Sequence, residues 1–144
     1  MKKFKDFMKK TNDNFDNSDT EVKKLLSHLI KILNIYSYDY SNYYNSNGQH
    51  ETEFYDLYKF NLYTISVDSI LGSHLSIHRN KNTKLYFFIM QYFKSISGLK
   101  VSNETKYYIT YDIIGDVDDI IKQITIEDFD YKYEIYNDAN KFNL

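Results

Sequence analysis

The clearest pattern of apolar and polar positions lies between residues 18 and 35. Apolar side chains recur there at helical spacing, with lysines and other polar residues between them: Val22, Leu25, Leu26, Leu29, Ile30 and Leu33. Ser18 and Glu21 stand three residues apart just before this run, which is the spacing of a capping box. We therefore predict an amphipathic helix over residues 19–35. Phe4, Phe7 and Met8 predict one or two further helical turns near the start.

The rest of the chain reads mainly as strands. Alternating or β-branched segments predict strands at 60–67, 74–78, 107–113 and 129–135. Residues 85–96 fit a helical face and a central strand equally well, but their aromatic content and the turn before them favour a strand. Asp116 begins a short helix that would turn Val117 and Ile120 inward. The order α–β–β–β–β–α–β predicts a small α+β domain with a mainly antiparallel sheet.

Length and composition limit the classes of protein to which this chain can belong. We expect the 144 residues to form a basic and polar segment over 1–17 and a single domain over 18–144. The absence of cysteine excludes disulfides, thiolate catalysis and cysteine-ligated metals. The glycines are isolated, so no phosphate-binding loop is present, and we predict no cofactor. No apolar run has the length of a membrane span, and the start lacks a secretory pattern, so we expect a soluble cytoplasmic protein that does not bind membranes.

The charge pattern argues against direct binding of nucleic acid. The chain carries a net charge of −2, its final third is acidic, and Arg79 is its only arginine. Proteins that bind duplexes usually present a basic stripe with several arginines. The abundance of Lys, Ile, Tyr and Asn, with little Ala and no Pro, is typical of A/T-rich coding. That composition suits a low-GC bacterium, or a phage or mobile element that lives in one.

Five tyrosines fall within nine residues: Tyr36, Tyr38, Tyr40, Tyr43 and Tyr44. Serine, asparagine and glycine surround them, as in antibody loops, where tyrosine brings a large contact area at a small entropic cost. This composition predicts a surface that binds a partner. The alternative is an edge strand with alternate rings packed on the core, in a chain where codon usage favours tyrosine. A base-stacking surface for single-stranded nucleic acid is a third and weaker option.

Two short motifs raise an enzymatic alternative. His50–Thr52 and His74–Ser76 each match the pattern H-x-[ST], and the pair resembles the motifs of the 2H phosphoesterases. The resemblance implies a phosphodiesterase for a cyclic or 2′-linked nucleotide. His50 and His74 would act as base and acid on one phosphate, and the hydroxyls of Thr52 and Ser76 would hold its oxygens. The resemblance covers these six residues alone, and we place His50 in a loop.

Asp116, Asp118 and Asp119 form the most compact acidic group. An EF-hand loop that began at Asp116 would need glycine at its sixth position, where Ile121 stands. Carboxylates at a helix N-terminus complement the helix dipole, which is the simpler interpretation. The alternative is a surface that attracts a basic partner. His74 and His78 stand four apart on a predicted strand, too far apart to share a metal, so we predict no metal site.

These observations favour a non-catalytic protein that docks on a larger protein or ribonucleoprotein effector. The expected contact residues are the five tyrosines together with the three aspartates. The expected class is an inhibitor from a phage or mobile element, of the anti-defence or anti-CRISPR type, or an immunity protein. The phosphodiesterase built on His50 and His74 is the alternative.

Overall fold

An antiparallel sheet of six strands packs against four helices, an α+β architecture, in the computed structural model, which describes residues 18–44, 50–68 and 73–142. The helices are α1 (Ser18–Leu33), α2 (Lys84–Lys94), α3 (Val117–Gln123) and α4 (Ile126–Phe142), and a 3-10 turn spans Asn34–Tyr36. The strands are β1 (Asp39–Tyr44), β2 (His50–Tyr55), β3 (Asn61–Asp68), β4 (His74–Arg79), β5 (Leu99–Glu104) and β6 (Tyr108–Ile113). The α+β class with a mainly antiparallel sheet is confirmed.

The strands lie in the order β1-β2-β3-β4-β6-β5, and every neighbouring pair is antiparallel. The first four strands follow one another along the chain as a meander, and β6 then pairs with β4. The chain leaves β4 to form α2 and β5 and returns through β6, so β5 lies at the edge.

One face of the sheet, here the inner face, carries the core. Its apolar side chains pack against all four helices in one buried cluster that includes Phe54, Ile65, Leu75, Ile77, Ile109 and Tyr111. The alternate residues form the outer face, which is polar because side chains of a strand alternate between its two faces. This face holds Ser41, Tyr43, Glu51, Glu53, Tyr55, Thr64, Ser66, Asp68, His74, Ser76, Thr110 and Asp112.

Helix α1 confirms the amphipathic prediction. Val22, Leu25, Leu29 and Leu33 are buried, while Lys31 lies exposed in the last turn. The short helix after Asp116 is also confirmed, since the Asp116 side chain accepts a hydrogen bond from the amide of Asp119 and caps α3. The turns predicted at residues 4–8 and the side chain of Ser18 lie outside the described part of the chain.

The strand predicted over residues 85–96 is wrong, because this segment is helix α2. Thr83 caps it by accepting a hydrogen bond from the amide of Tyr86 at 3.2 Å. Helix α2 lies between the sheet and α4 and buries residues on much of its circumference: Leu85, Tyr86, Phe88, Ile89, Tyr92 and Phe93. A helix buried on several sides loses the polar stripe that distinguishes it from a central strand.

The strand predicted over 129–135 is also wrong, because these residues belong to helix α4. Phe129, Tyr133 and Tyr136 pack against Phe88 with ring centroids 4.9–5.4 Å apart. These three positions have helical spacing, whereas Tyr131 and Ile135 remain exposed. The alternation that predicted a strand therefore counted two surface residues as part of the core.

Three strands lie outside the predicted set: β1, which we considered only as the alternative for the tyrosine run, β2 and β5. In β2 the inner face carries the buried side chains of His50 and Thr52 beside Phe54, so its buried positions do not read as apolar. The placement of His50 in a loop is wrong. In β5 only Leu99 is buried, as befits an edge strand.

Candidate functional site

The tyrosine run does not form one surface. Tyr36 packs into the core against Phe129, with ring centroids 5.1 Å apart. Tyr40 lies on the inner face beside Phe54, at 6.2 Å between ring centroids. Tyr40 matches the edge-strand alternative, since β1 is an edge of the sheet, whereas Tyr36 lies in the 3-10 turn before the strand.

The other tyrosines of the run point elsewhere. Tyr43 lies on the outer face of β1, and Tyr38, which is 67% exposed, precedes the strand. The backbone of Tyr44 pairs with that of His50, and its side chain is outside the described part. Within this run, the described side chains that turn away from the core are those of Tyr38 and Tyr43.

A carboxylate held by two phenols lies on the outer face of β1 and β2. Tyr43 donates to Glu53 at 2.9 Å, Tyr55 donates to the other oxygen of Glu53, and Ser41 hydrogen-bonds Tyr55 at 3.0 Å. Burial, together with the acceptors Glu51 and Glu53, raises the pKa of Tyr43 well above its usual range. The network fixes these side chains in place on the outer face.

The two histidines of the H-x-[ST] motifs lie on opposite faces of the sheet. His50 is in register with Val67, on the buried inner face, whereas His74 is in register with Asp68, the next residue along β3. Consecutive residues of a strand point to opposite faces, so the two imidazoles are separated by the sheet itself. The structure therefore does not place the two imidazoles where both could act on one phosphate.

The hydroxyls of the two motifs are divided in the same way. Thr52 is fully buried on the inner face and donates to Asn42 at 2.6 Å. Ser76 lies on the outer face, where its hydroxyl is 2.9 Å from that of Thr110. No shared pocket for the oxygens of a phosphate joins these two hydroxyls.

His74 does gain a carboxylate neighbour. Its Nδ1 lies 2.8 Å from Oδ1 of Asp112 on the neighbouring strand. The two atoms approach closely, but their geometry is not that of a hydrogen bond. Beside this pair on the outer face, the hydroxyls of Ser76 and Thr110 bond each other.

The three predicted aspartates act within the fold. Asp116 caps α3, as described above, and Asp118 forms an ion pair with Lys24 of α1 at 2.6 Å. The hydrogen bond and charge of Lys24 lower the pKa of Asp118. Asp119 is exposed in the first turn of the helix. The structure brings these acids together at the helix N-terminus, and two of the three already have internal partners.

A feature that the sequence analysis missed is the turn between β2 and β3, residues 56–60. The Asp56 carboxylate accepts hydrogen bonds from the amides of Tyr58 at 2.9 Å and Phe60 at 3.0 Å. The Asp56 amide donates to the Phe60 carbonyl, and the Lys59 amide donates to the Asp56 carbonyl, both at 3.0 Å. Lys81 binds the other carboxylate oxygen at 3.1 Å. These hydrogen bonds and the ion pair with Lys81 together brace the turn, that is, they hold it in one conformation.

This braced turn presents its apolar side chains to solvent. Leu57 is 62% exposed, Tyr58 77% and Phe60 62%; we call these three residues the hairpin tip. Tyr38 is adjacent, because its amide donates to the carbonyl of Tyr55 at 2.8 Å. Lys59 adopts a left-handed conformation with φ of 66°, which is unfavourable for a side chain of its type. Exposed apolar groups held in a fixed geometry are typical of protein contact sites.

The tip had a signal in the sequence. Asp-Leu-Tyr-Lys-Phe at residues 56–60 places three large apolar residues directly after an aspartate, in a segment with no glycine or proline. Because turns are usually recognised by glycine, proline or asparagine, the segment did not stand out. Once β2 is recognised as a strand, these residues are the only connection between two paired strands.

The described residues contain no group of three metal-ligating side chains and no helix that is long and apolar enough to cross a membrane. Comparison with known proteins gives no match: no family model, no curated protein and no solved structure is significantly similar to the chain.

Proposed function

We propose that this protein is a non-catalytic binding protein that docks on a larger effector, with the hairpin tip as the centre of its contact surface. The observation that carries the proposal is the exposure of Leu57, Tyr58 and Phe60 on a hydrogen-bonded turn. A few buried aromatic anchors provide most of the binding energy of protein interfaces, and tyrosine is enriched among them. A turn that is already ordered loses little conformational entropy when it binds.

The surroundings of the tip fit this role. Tyr38 extends the apolar area from the start of β1, and the outer face beyond it carries Glu51, Glu53 and other polar groups. An apolar centre with a polar surround is the usual anatomy of an interface. The carboxylates would favour a partner with basic groups at the matching positions. This arrangement keeps the expected aromatic and acidic character but moves its centre from the tyrosine run to the tip.

The A/T-rich composition supports an inhibitor from a phage or mobile element, of the anti-defence type, or an immunity protein. Such a protein acts by occupying the working surface of its target. The phosphodiesterase alternative is not carried forward, because His50 and His74 lie on opposite faces of the sheet and no other observation favours it.

The test compares two variants of the full chain that lose similar amounts of exposed apolar surface. The tip variant combines Leu57→Ser with Tyr58→Ser, and the control combines Ile114→Ser with Tyr131→Ser, residues that are 67% and 66% exposed. Each protein is used to capture an effector from lysates of low-GC bacteria, and the captured effector is then assayed with and without stoichiometric added protein. We expect the wild type and the control to inhibit it and the tip variant to fail.

Two results would refute the proposal. One is an effector whose activity is unchanged by a stoichiometric amount of the wild-type protein. The other is equal loss of binding by the tip variant and the control, which would show that the tip has no special role. Thermal unfolding of both variants establishes that each is folded before binding is compared.

A further inference from the structure

The only arginine of the chain lies at the end of β4 and has no acidic partner among the residues that the structure describes. The amide of Arg79 donates to the carbonyl of Tyr107 at 2.7 Å. Its guanidinium lies 5.3 Å from the ring centroid of Tyr107 and 5.9 Å from that of Phe87. Among the ion pairs of the described residues, none includes Arg79. Two aromatic rings therefore position a cation whose charge no carboxylate within the described chain neutralises.

The guanidinium lines an open groove of about 500 Å³ between the start of α2 and the turn that joins β5 to β6. Lys106 adds a second cation to the wall, with its ammonium 5.8 Å from the centroid of Tyr107. Among the described lining residues Glu104 is the one acid, and its carboxylate is paired with Lys94 at 2.8 Å. The groove is consequently positive although the whole chain has a net charge of −2.

A buried hydroxyl belongs to one of the residues that line this groove. Tyr86 lines the groove, is 1% exposed, and its hydroxyl has no hydrogen-bond partner among the described residues. Burial raises the pKa of Tyr86, with Arg79 acting in the opposite direction, so the phenol stays protonated at neutral pH. A buried hydroxyl without a partner is costly, and an acceptor would remove this cost once the wall of the groove moved to admit it. The groove thus offers two cations, with a donor behind its wall.

We propose that this groove binds the oxyanion group, a phosphate or a carboxylate, of a small ligand. Arg79 would provide the planar pair of donors that fits two oxygens at once, and Lys106 would add a point charge. Tyr86 would donate its hydroxyl to a remaining oxygen. Phe87 and Met90 form apolar wall for the rest of the ligand, and the volume is that of a typical small-molecule site. The site shares no residue with the hairpin tip and stands independently of the proposed function.

The test uses phenyl phosphate and benzoate, which carry the same ring and different oxyanions. Each is titrated at constant ionic strength into the isotope-labelled full chain, and the amide shifts of α2 and the β5–β6 turn are followed. We expect saturable shifts with a dissociation constant in the millimolar range or below. Tighter binding of phenyl phosphate would assign a phosphate, and tighter binding of benzoate a carboxylate.

Three variants decide whether the groove is the site. Arg79→Gln should raise the dissociation constant about tenfold or more, as expected for one charge-assisted bond. Lys122→Gln removes the same charge from an exposed position on α3 and should change it less than about twofold. Tyr86→Phe should weaken binding while leaving the midpoint of unfolding unchanged or higher, because it removes a buried hydroxyl that has no partner.

The proposal fails if neither probe gives saturable shifts in the millimolar range. It also fails if Arg79→Gln and Lys122→Gln weaken binding equally, which would indicate attraction to the overall charge. Because Tyr86→Phe is expected to preserve folding, unchanged affinity in that variant would remove the hydroxyl from the site even if Arg79→Gln proved unstable.

Discussion

Two buried tyrosines that differ in their hydroxyl partners should respond in opposite ways to the same substitution. Tyr63 on β3 and Tyr111 on β6 are both fully buried. The Tyr111 hydroxyl donates to the carbonyl of Met90 at 2.6 Å, whereas the Tyr63 hydroxyl has no hydrogen-bond partner among the described residues. Phenylalanine keeps each ring, so Tyr63 would retain its stacking on Phe54 at 5.0 Å between centroids. The substitution therefore isolates the hydroxyl.

The expected magnitudes follow from this difference. A buried polar group without a partner costs about 1–3 kcal/mol, and the small void left by one oxygen offsets part of the gain. We expect Tyr63→Phe to raise the free energy of unfolding by about 1 kcal/mol. Tyr111→Phe loses a hydrogen bond and should lower it by about 1 kcal/mol. With a urea slope of about 1–3 kcal/mol per molar, each midpoint moves by about 0.3–1 M.

Equilibrium urea unfolding followed by circular dichroism measures both midpoints under one set of conditions. The slope of the transition should stay constant, since neither variant changes the surface exposed on unfolding. A lower midpoint for Tyr63→Phe, or a shift of both variants in the same direction, would refute the argument that the hydrogen-bond partner decides the sign.

Three further outcomes are expected. Gly115→Ala should destabilise the fold by about 1–3 kcal/mol, because the added Cβ would lie 2.7 Å from the Cα of Gly98; urea unfolding checks this beside Glu134→Ala on exposed helix surface, and equal midpoints would contradict it. Burial raises the pKa values of Tyr63, Tyr92 and Tyr111, so above about pH 10 the unfolded chain binds fewer protons than the native one and stability falls; a urea midpoint that stays flat from about pH 9 to about pH 11, one unit either side of the usual tyrosine value, would disagree. Partial burial acts to raise the pKa of Asp56, but hydrogen bonds from Phe60, Lys81 and Tyr58 outweigh it and lower that pKa. Asp56 therefore stabilises the fold at pH values above its unfolded pKa of about 3.9. This stabilisation is lost as the pH falls through the lower pKa of the folded state. The amide shifts of Tyr58 and Phe60 should titrate below about pH 3.9, and a higher midpoint would show that the carboxylate does not brace the turn.

The success of sequence reasoning depended on whether a segment buried one side or several. Helix α1 buries a single stripe, and β4 and β6 alternate between a buried and a polar face, so their patterns are visible in the sequence. Helix α2 is buried on much of its circumference, and its pattern fits two structures. Which one forms is decided by Thr83 at its N-terminus and by the neighbours it packs against.

The candidate site was less accessible to prediction than the fold. Tyr36 and Tyr40 pack into the core. The side chains of Leu57, Tyr58 and Phe60 are exposed because the Asp56 carboxylate closes a turn around them. Whether an apolar residue faces inward depends on the pairing between distant strands. Strand β2 could not be recognised from its sequence because its buried positions include the polar residues His50 and Thr52. The groove around Arg79 likewise joins residues of β4, α2 and the β5–β6 turn, which no local pattern connects.

The route of the chain through the sheet has a consequence for how the protein reaches its native state. Strands β1 to β4 pair with their sequence neighbours, as do β5 and β6, and the single pairing between β4 and β6 joins the two groups. Short loops close quickly, whereas the segment between β4 and β6 contains a helix and an edge strand. We expect each group of strands to form early, and the pairing of β4 with β6 to limit the folding rate. Substitution of Ile77 or Ile109, which face each other across that pairing, should then slow refolding more than it speeds unfolding.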